Sequence, residues 1–483
     1  HLILIPIIFI NREHYFTTAS WVSSTEVCIT WLTRAQNLSV VTNCKSPLWH
    51  CQEIQRIIAE DRGWVDTPPE SPIFSANGSS YIAISPVKDG PAGYYKHIVW
   101  VNVARKLVVP LTHGKFEVAQ IVAWDEPNNT IYFIGIPPMQ PGQRHLYYPA
   151  FCVTCTEMSD GYRKEHRTAS SSHYSSSSDN NYIRDHYETQ TENVKVEGQP
   201  KNNTLLRERI AKLALPQVKT FPVQISGGYN AQVKLYLPPG LREDEITRYP
   251  LIVQVYGAPG SQLVTEMFKI DWNTYLASRK NMIIAQIDGR GSGGQGYKFL
   301  HEVYYRLGSV EVADQLEVTD RYLRDSLHFV DKQRVAVWGW SYGGFVAALA
   351  LAHPEQNVFE CGISVAPVVS WKLHADSAYA ERYMGLPDVV SNYKGYAESD
   401  VYDKVEHLRN KMFYLVHGTA DDNVQFQQSM ALARHLAKKG ILFRQQVYPD
   451  VSHSLAGVKG HLYLSMAQFL DDCFQKQVPT DTK

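Results

Sequence analysis

The chain has 483 residues, 44% of them apolar, enough for two domains with proper cores. Lysine plus arginine (47) almost balance aspartate plus glutamate (48), and a net charge of −1 leaves no basic footprint for nucleic acid or an anionic membrane surface. The chain begins at His1 rather than methionine and so reads as a fragment or a processed form.

The opening "HLILIPIIFI" is apolar, but it is ten residues long and carries Pro6. That is too short to span a bilayer, and it lacks the basic start and small-residue cleavage site of a signal peptide. No other segment is long and apolar enough to span. Short alternating runs then follow, among them "EVCITWL", "YIAISPV", "HIVWVNV", "EVAQIVAW" and "TIYFIGI". Strands at this spacing, without helical stretches, predict about three propeller-like blades of roughly 40–50 residues each over residues 1–155. From 156 to 203 the chain is serine-rich and charged, too poor in aliphatics to offset backbone ordering, and reads as disorder or a long loop.

From residue 204 to 483 the pattern changes. "LIVQVY", "MIIAQI", "VAVWGW" and "MFYLVHG" are nearly continuous apolar runs, as strands buried on both faces should be. "SVEVADQLEVTDRYLRDS" and "SMALARHLAKKG" read as helices between them. Alternating strand and helix over this length predicts an α/β domain with a mostly parallel sheet.

Seven cysteines are few for this length. Cys44 and Cys51 lie close together, as do Cys152 and Cys155, whereas Cys361 and Cys473 are far apart. No second Cys/His pair lies near Cys152 and Cys155 at ligand spacing, which favours a local disulfide over a metal site. Four N-x-S/T sequons begin at Asn37, Asn77, Asn128 and Asn202. Beside paired cysteines they point to a secreted or cell-surface protein.

Gly339-Trp340-Ser341-Tyr342-Gly343 fits G-x-S-x-G between a buried strand and a helix, the setting of a nucleophilic serine on a sharp turn. A serine hydroxyl needs a base, and the base needs an acid to orient it. In α/β-hydrolases these follow in the order Ser, Asp, His. The strand "KMFYLVHG" runs into "TADDNV", offering Asp421 or Asp422, with Asp421 first beyond the turn. The strand "LFRQQVY" runs into "PDVSHS", offering His453. His417 precedes the acids and reads as a packing residue. For the oxyanion, the Tyr342 backbone N–H is one donor. Tyr256, after "LIVQV", is a second candidate, although a tyrosine at a strand end is as often packing as chemistry. Gly291, Gly293 and Gly296 form G-x-G-x-x-G, with Glu311 at ribose distance. An earlier strand precedes them, so an active-site loop explains them better than a dinucleotide site. No cofactor or metal is expected.

"DGRGSGGQG", "WGWSYGG", "ERYMGLP" and "HGTADDNVQFQQS" together resemble the dipeptidyl peptidase IV family of serine peptidases, in the prolyl oligopeptidase group. "REHYF", "TASWVSSTEVCITWLTRAQNLSVV" and "CVTC" resemble the later blades of that family's propeller. The resemblance implies an α/β-hydrolase domain with an eight-bladed propeller and release of N-terminal dipeptides with proline or alanine second. It implies nucleophile Ser341, acid Asp421, base His453 and oxyanion donation by Tyr256. It also implies a proline pocket of Tyr342, Val368, Trp371, Tyr379, Tyr383 and Val424, with Asn423 on a substrate carbonyl. Implied disulfides are Cys44–Cys51, Cys152–Cys155 and Cys361–Cys473, leaving Cys28 odd. The implied partners are peptides with a free N-terminus, and a homodimer through the terminal helix.

Departures accompany the resemblance. The family holds the substrate ammonium with adjacent glutamates on early propeller segments, and this chain has no Glu-Glu pair. One extra residue between Trp371 and Glu381 puts His374 or Ala375 where the family has a pocket tyrosine. "VYGAPGSQ", "HEV" and "YPDVSH" are also similar to the non-catalytic, channel-associated relatives, which lack the serine kept here. A binding protein with little turnover, and an esterase or acylaminoacyl-type hydrolase, are therefore the alternative expectations.

Overall fold

Tight turns fold the alternating segments before residue 148 back on themselves, giving three separate antiparallel sheets. The computed structural model describes residues 14–59, 62–66, 70–148 and 204–476. The opening apolar run, the serine-rich segment, Cys152, Cys155 and Asn202 lie outside them. The first sheet pairs β1 (His14–Ser23), β2 (Glu26–Thr33), β3 (Leu38–Lys45) and β4 (His50–Ile58) in chain order. The second does the same with β5 (Ile73–Phe74), β6 (Ser80–Lys88), β7 (Tyr94–Asn102) and β8 (Leu107–Pro110). The third holds β9 (Glu117–Asp125), β10 (Thr130–Ile136) and β11 (His145–Tyr147). Four-stranded meanders of this kind are propeller blades. Asn37, Asn77 and Asn128 all lie exposed in turns between their strands.

The remaining strands form one eight-stranded sheet: β12 (Gln217–Ile225), β13 (Tyr229–Leu237), β14 (Tyr249–Val255), β15 (Ile283–Asp288), β16 (Val330–Trp340), β17 (Cys361–Val365), β18 (Met412–Gly418) and β19 (Arg444–Tyr448). Its order is β12-β13-β15-β14-β16-β17-β18-β19. β12 and β13 enter antiparallel, and every pair from β15 to β19 is parallel. The apolar runs of β14 to β18 follow from helices covering both faces. Along β16, Val335 and Val337 enter the core on one face, and Ala336 and Trp338 enter the core on the other. The main helices are α1 (Trp272–Arg279), α2 (Val310–Val318), α3 (Tyr342–Leu351), α4 (Ser377–Met384), α5 (Phe426–Lys438) and α6 (Lys459–Lys476). Doubly wound order and helices on both faces make this an α/β-hydrolase domain.

By contacts, His1–Ala150 and Pro216–Lys483 form one compact unit and Phe151–Leu215 a second, whose described helix is Thr204–Ile210. Disulfides join Cys44 to Cys51 across β3 and β4 and Cys361 on β17 to Cys473 on α6, and Cys28 is free and buried. Among the described residues, no helix is long and apolar enough to cross a membrane.

Candidate active site

β16 ends at Trp340 and α3 begins at Tyr342, so a single residue makes the joint. That residue, Ser341, takes φ 62° and ψ −120°, a strained conformation that lifts its side chain off the sheet edge. The flanking glycines are compulsory. A Cβ on Gly339 would lie 2.1 Å from Gly343 O, and one on Gly343 would lie 2.2 Å from Val255 O. The Ser341 N–H donates to Val365 O at 2.8 Å, tying the turn to β17. As the first residue of α3, Tyr342 has an N–H with no intrahelical acceptor. Among the described residues, the Ser341 hydroxyl makes no hydrogen bond.

Two more loops reach the same edge of the sheet, after β18 and after β19. A Cβ on Gly418, the last residue of β18, would lie 2.2 Å from Val451 O, so glycine lets the two loops touch. The contact brings Asp421 to His453: Nδ1 of the imidazole lies 2.7 Å from Asp421 Oδ2. The Trp340 indole donates to His453 O at 3.2 Å, fastening this loop beside the serine turn. Asp421 is buried and accepts from the Asn423 and Val424 N–H groups at 3.0 and 2.8 Å. Burial works against its charge, but hydrogen bonds from His417 and then His453 hold the carboxyl well below the usual carboxylate range. Asp422 is exposed. The geometry therefore pairs His453 with Asp421, the acid that its place first beyond the turn favours over Asp422.

His417 does more than pack. Its Nε2 lies 3.1 Å from Asp421 Oδ2 and 2.8 Å from Val424 O, and its Nδ1 lies 2.7 Å from Ser429 Oγ. Sequence reading missed this bond.

The remaining residues expected to line a pocket fall into one apolar cluster. Tyr342, Val368, Trp371, Tyr383 and Val424 are buried in it, and Tyr256 and Tyr379 pack against it. Trp371 stacks on Tyr379 with centroids 5.9 Å apart, and Tyr379 meets Tyr383 edge-on at 4.9 Å. Of the two residues that the extra position offers, the His374 ring meets Trp371 at 5.4 Å and Tyr379 at 5.7 Å, while Ala375 is exposed. Gln428 of α5 anchors the loop under this wall, accepting from the Val369 and Ser370 N–H groups at 2.9 and 3.0 Å. Asn423 is exposed. Burial raises the Tyr256 phenol, keeping it a hydrogen-bond donor at ordinary pH. Glu311 is committed elsewhere: buried, it accepts from Tyr342 OH at 2.7 Å, so it offers nothing to a ribose.

The blades reach this wall. Arg34, in the turn between β2 and β3, binds Glu381 of α4 through two bonds of 2.9 and 2.8 Å. Gln36 donates to Ala378 O at 2.7 Å and accepts from Arg382 Nε at 2.6 Å. Trp64 packs edge-on against Tyr383 at 4.7 Å.

Family models account for both halves. The model described as "Prolyl oligopeptidase family" matches residues 268–477, and that described as "Dipeptidyl peptidase IV (DPP IV) N-terminal region" matches residues 3–194. The chain belongs to the dipeptidyl peptidase IV family. Within that family, "Prolyl endopeptidase FAP" of Mus musculus is 36% identical over 97% of this chain and 62% of its own length. "Inactive dipeptidyl peptidase 10" of Rattus norvegicus is 33% identical over 98% of this chain and 60% of its own. The chain thus spans about three fifths of the curated relatives it matches. In fold, the chain is similar to the Porphyromonas gingivalis dipeptidyl peptidase 4 structure, with TM-score 0.78 and 24% identity over 96% of this chain and 64% of that one. The dipeptidyl peptidase IV family therefore covers both the hydrolase sheet and the blades.

Proposed function

We propose that this protein is a serine peptidase that releases Xaa-Pro or Xaa-Ala dipeptides from peptides with a free N-terminus. The 2.7 Å bond between His453 Nδ1 and Asp421, held beside the strained Ser341 turn, carries the proposal. That bond commits the Nδ1 proton to Asp421 and leaves the Nε2 lone pair as base. In the reaction His453 takes the Ser341 proton as the oxygen attacks the carbonyl of the second residue. The Tyr342 N–H and Tyr256 hydroxyl donate to the oxyanion, and His453 returns the proton to the leaving amine. Water then cleaves the acyl-enzyme with the same histidine as base. Trp371, Tyr379, Tyr383, Val368 and Val424 form a pocket suited to a small ring such as proline, and Asn423 at its rim meets a substrate carbonyl. Disulfides and exposed sequons at Asn37, Asn77 and Asn128 fit a secreted or cell-surface glycoprotein, with a homodimer as its assembly.

A binding role without turnover is the second reading. The unbonded Ser341 hydroxyl and a relative named inactive favour it. A fluorophosphonate probe separates the two. Labelling at Ser341, lost in Ser341→Ala with thermal stability unchanged, supports the peptidase, whereas an unlabelled folded wild type supports the binding role. Gly-Pro against N-acylated chromogenic substrates then tests the dipeptidyl preference against an esterase or acylaminoacyl preference.

A further inference from the structure

We propose that His417 is a positioning residue for this site, holding the acid and one wall of the pocket in a single turn. The inference rests on the peptidase reading for its consequence, but its geometry stands apart from it. His417 is 1% exposed at the end of β18. Its Nε2 faces two acceptors, Asp421 Oδ2 at 3.1 Å and Val424 O at 2.8 Å, so this nitrogen carries a proton. Nδ1 faces the Ser429 hydroxyl of α5 at 2.7 Å, and Phe426 meets the ring edge-on with centroids 5.7 Å apart. The imidazole is thus fixed from three sides, and its one N–H is shared between the acid and the backbone of the residue lining the pocket.

Val424 closes the circuit. Its N–H donates to Asp421 Oδ1 while its carbonyl accepts from His417. Asp421 therefore has Oδ1 saturated by backbone and Oδ2 shared between two histidines, the buried His417 and the half-buried His453. Removing the His417 donor leaves Oδ2 with the His453 bond alone and leaves Val424 O buried without a partner. It also removes the positive end of a dipole from beside the Asp421–His453 pair, which favours protonation of that pair. The groups facing the pair are His417 from β18, the Asn423 and Val424 amides from the turn, and His374 from the pocket loop. A mere packing residue would carry no such proton dependence.

Two amide replacements dissect the ring. In His417→Gln the amide nitrogen reaches the Nε2 position and keeps the donor to Asp421. In His417→Asn it reaches only the Nδ1 position and keeps the contact with Ser429. The test is titration of His453 by NMR in protein with isotope-labelled histidine, assigned with His453→Asn, alongside the pH profile of kcat/KM on a Gly-Pro substrate. In H417N the titration of His453 and the acid limb should both move to higher pH, with kcat down about tenfold and KM nearly unchanged. H417Q should restore both towards wild type. The proposal is overturned if folded H417N titrates like wild type, or if H417Q is as impaired as H417N. The NMR arm reads the answer even in a protein that turns nothing over, so failure of the peptidase reading, seen as an unlabelled wild type, stays distinguishable. Should H417N not fold, Ser429→Ala, which frees the ring from its far side, should move the limb in the same direction by less, and an unmoved limb there overturns the proposal.

Discussion

Tyr256 follows the last residue of β14 and its backbone lies against Gly343, two residues beyond Ser341, because glycine there lets α3 touch Val255. Its hydroxyl makes no hydrogen bond among the described residues, and burial keeps its proton in place. A neutral donor at that point matters only once negative charge develops on a substrate oxygen. Tyr256→Phe should therefore cost about 10²–10³-fold in kcat with little change in KM. Steady-state kinetics on a Gly-Pro substrate decide it, and an unchanged kcat removes the phenol from the reaction. Sequence alone could nominate Ser341, Asp421 and His453, because strand ends and chain order constrain them. It could not tell which of His374 and Ala375 packs on Trp371, since a one-residue insertion shifts register and only packing shows that His374 does. Nor could it see the His417 bond, because nothing in a linear pattern says that a buried ring will face a carboxylate four residues on.

β14, β16 and α3 meet at a joint with no spare volume. A methyl on Gly343 would sit 2.2 Å from Val255 O and 3.1 Å from Tyr256 Cα, both of them backbone. Neither atom can turn aside, so the strand must move and carry Tyr256 with it. Gly343→Ala is expected to lower stability by about 1–3 kcal/mol and to lose activity out of proportion. A thermal melt read beside fluorophosphonate labelling measures both, and a fully labelled, wild-type-stable G343A would show that this joint yields to a methyl group. The parallel strands were legible because burial on both faces leaves unbroken apolar runs, as in Met412–Gly418. β12 and β13 were not picked out: "QVKTFPVQI" mixes exposed polar positions with apolar ones, as an edge strand does. The short β5 and β11, of two and three residues, are below what alternation can register.

Two devices hold the molecule together over long stretches of sequence. The first is the disulfide from Cys361 on β17 to Cys473 on α6, closing a span of 112 residues that contains Asp421 and His453. In the chain-entropy account a loop of that size is worth about 4–5 kcal/mol. Cys473→Ser should lower the denaturant midpoint accordingly, and an unchanged midpoint would make the bond redundant. Division into blades followed by an α/β sheet was visible in the sequence as a change of period from alternation to continuous apolar runs. The second device was not visible, because Arg34 and Glu381 are 347 positions apart. Arg34 and Gln36 grip α4, the helix that carries Tyr379 and Tyr383. If the proposed peptidase reading holds, a hydrolase half severed from these blades keeps the Ser341 turn but loses the brace behind Tyr379 and Tyr383, so choice among substrates would rest on both halves together.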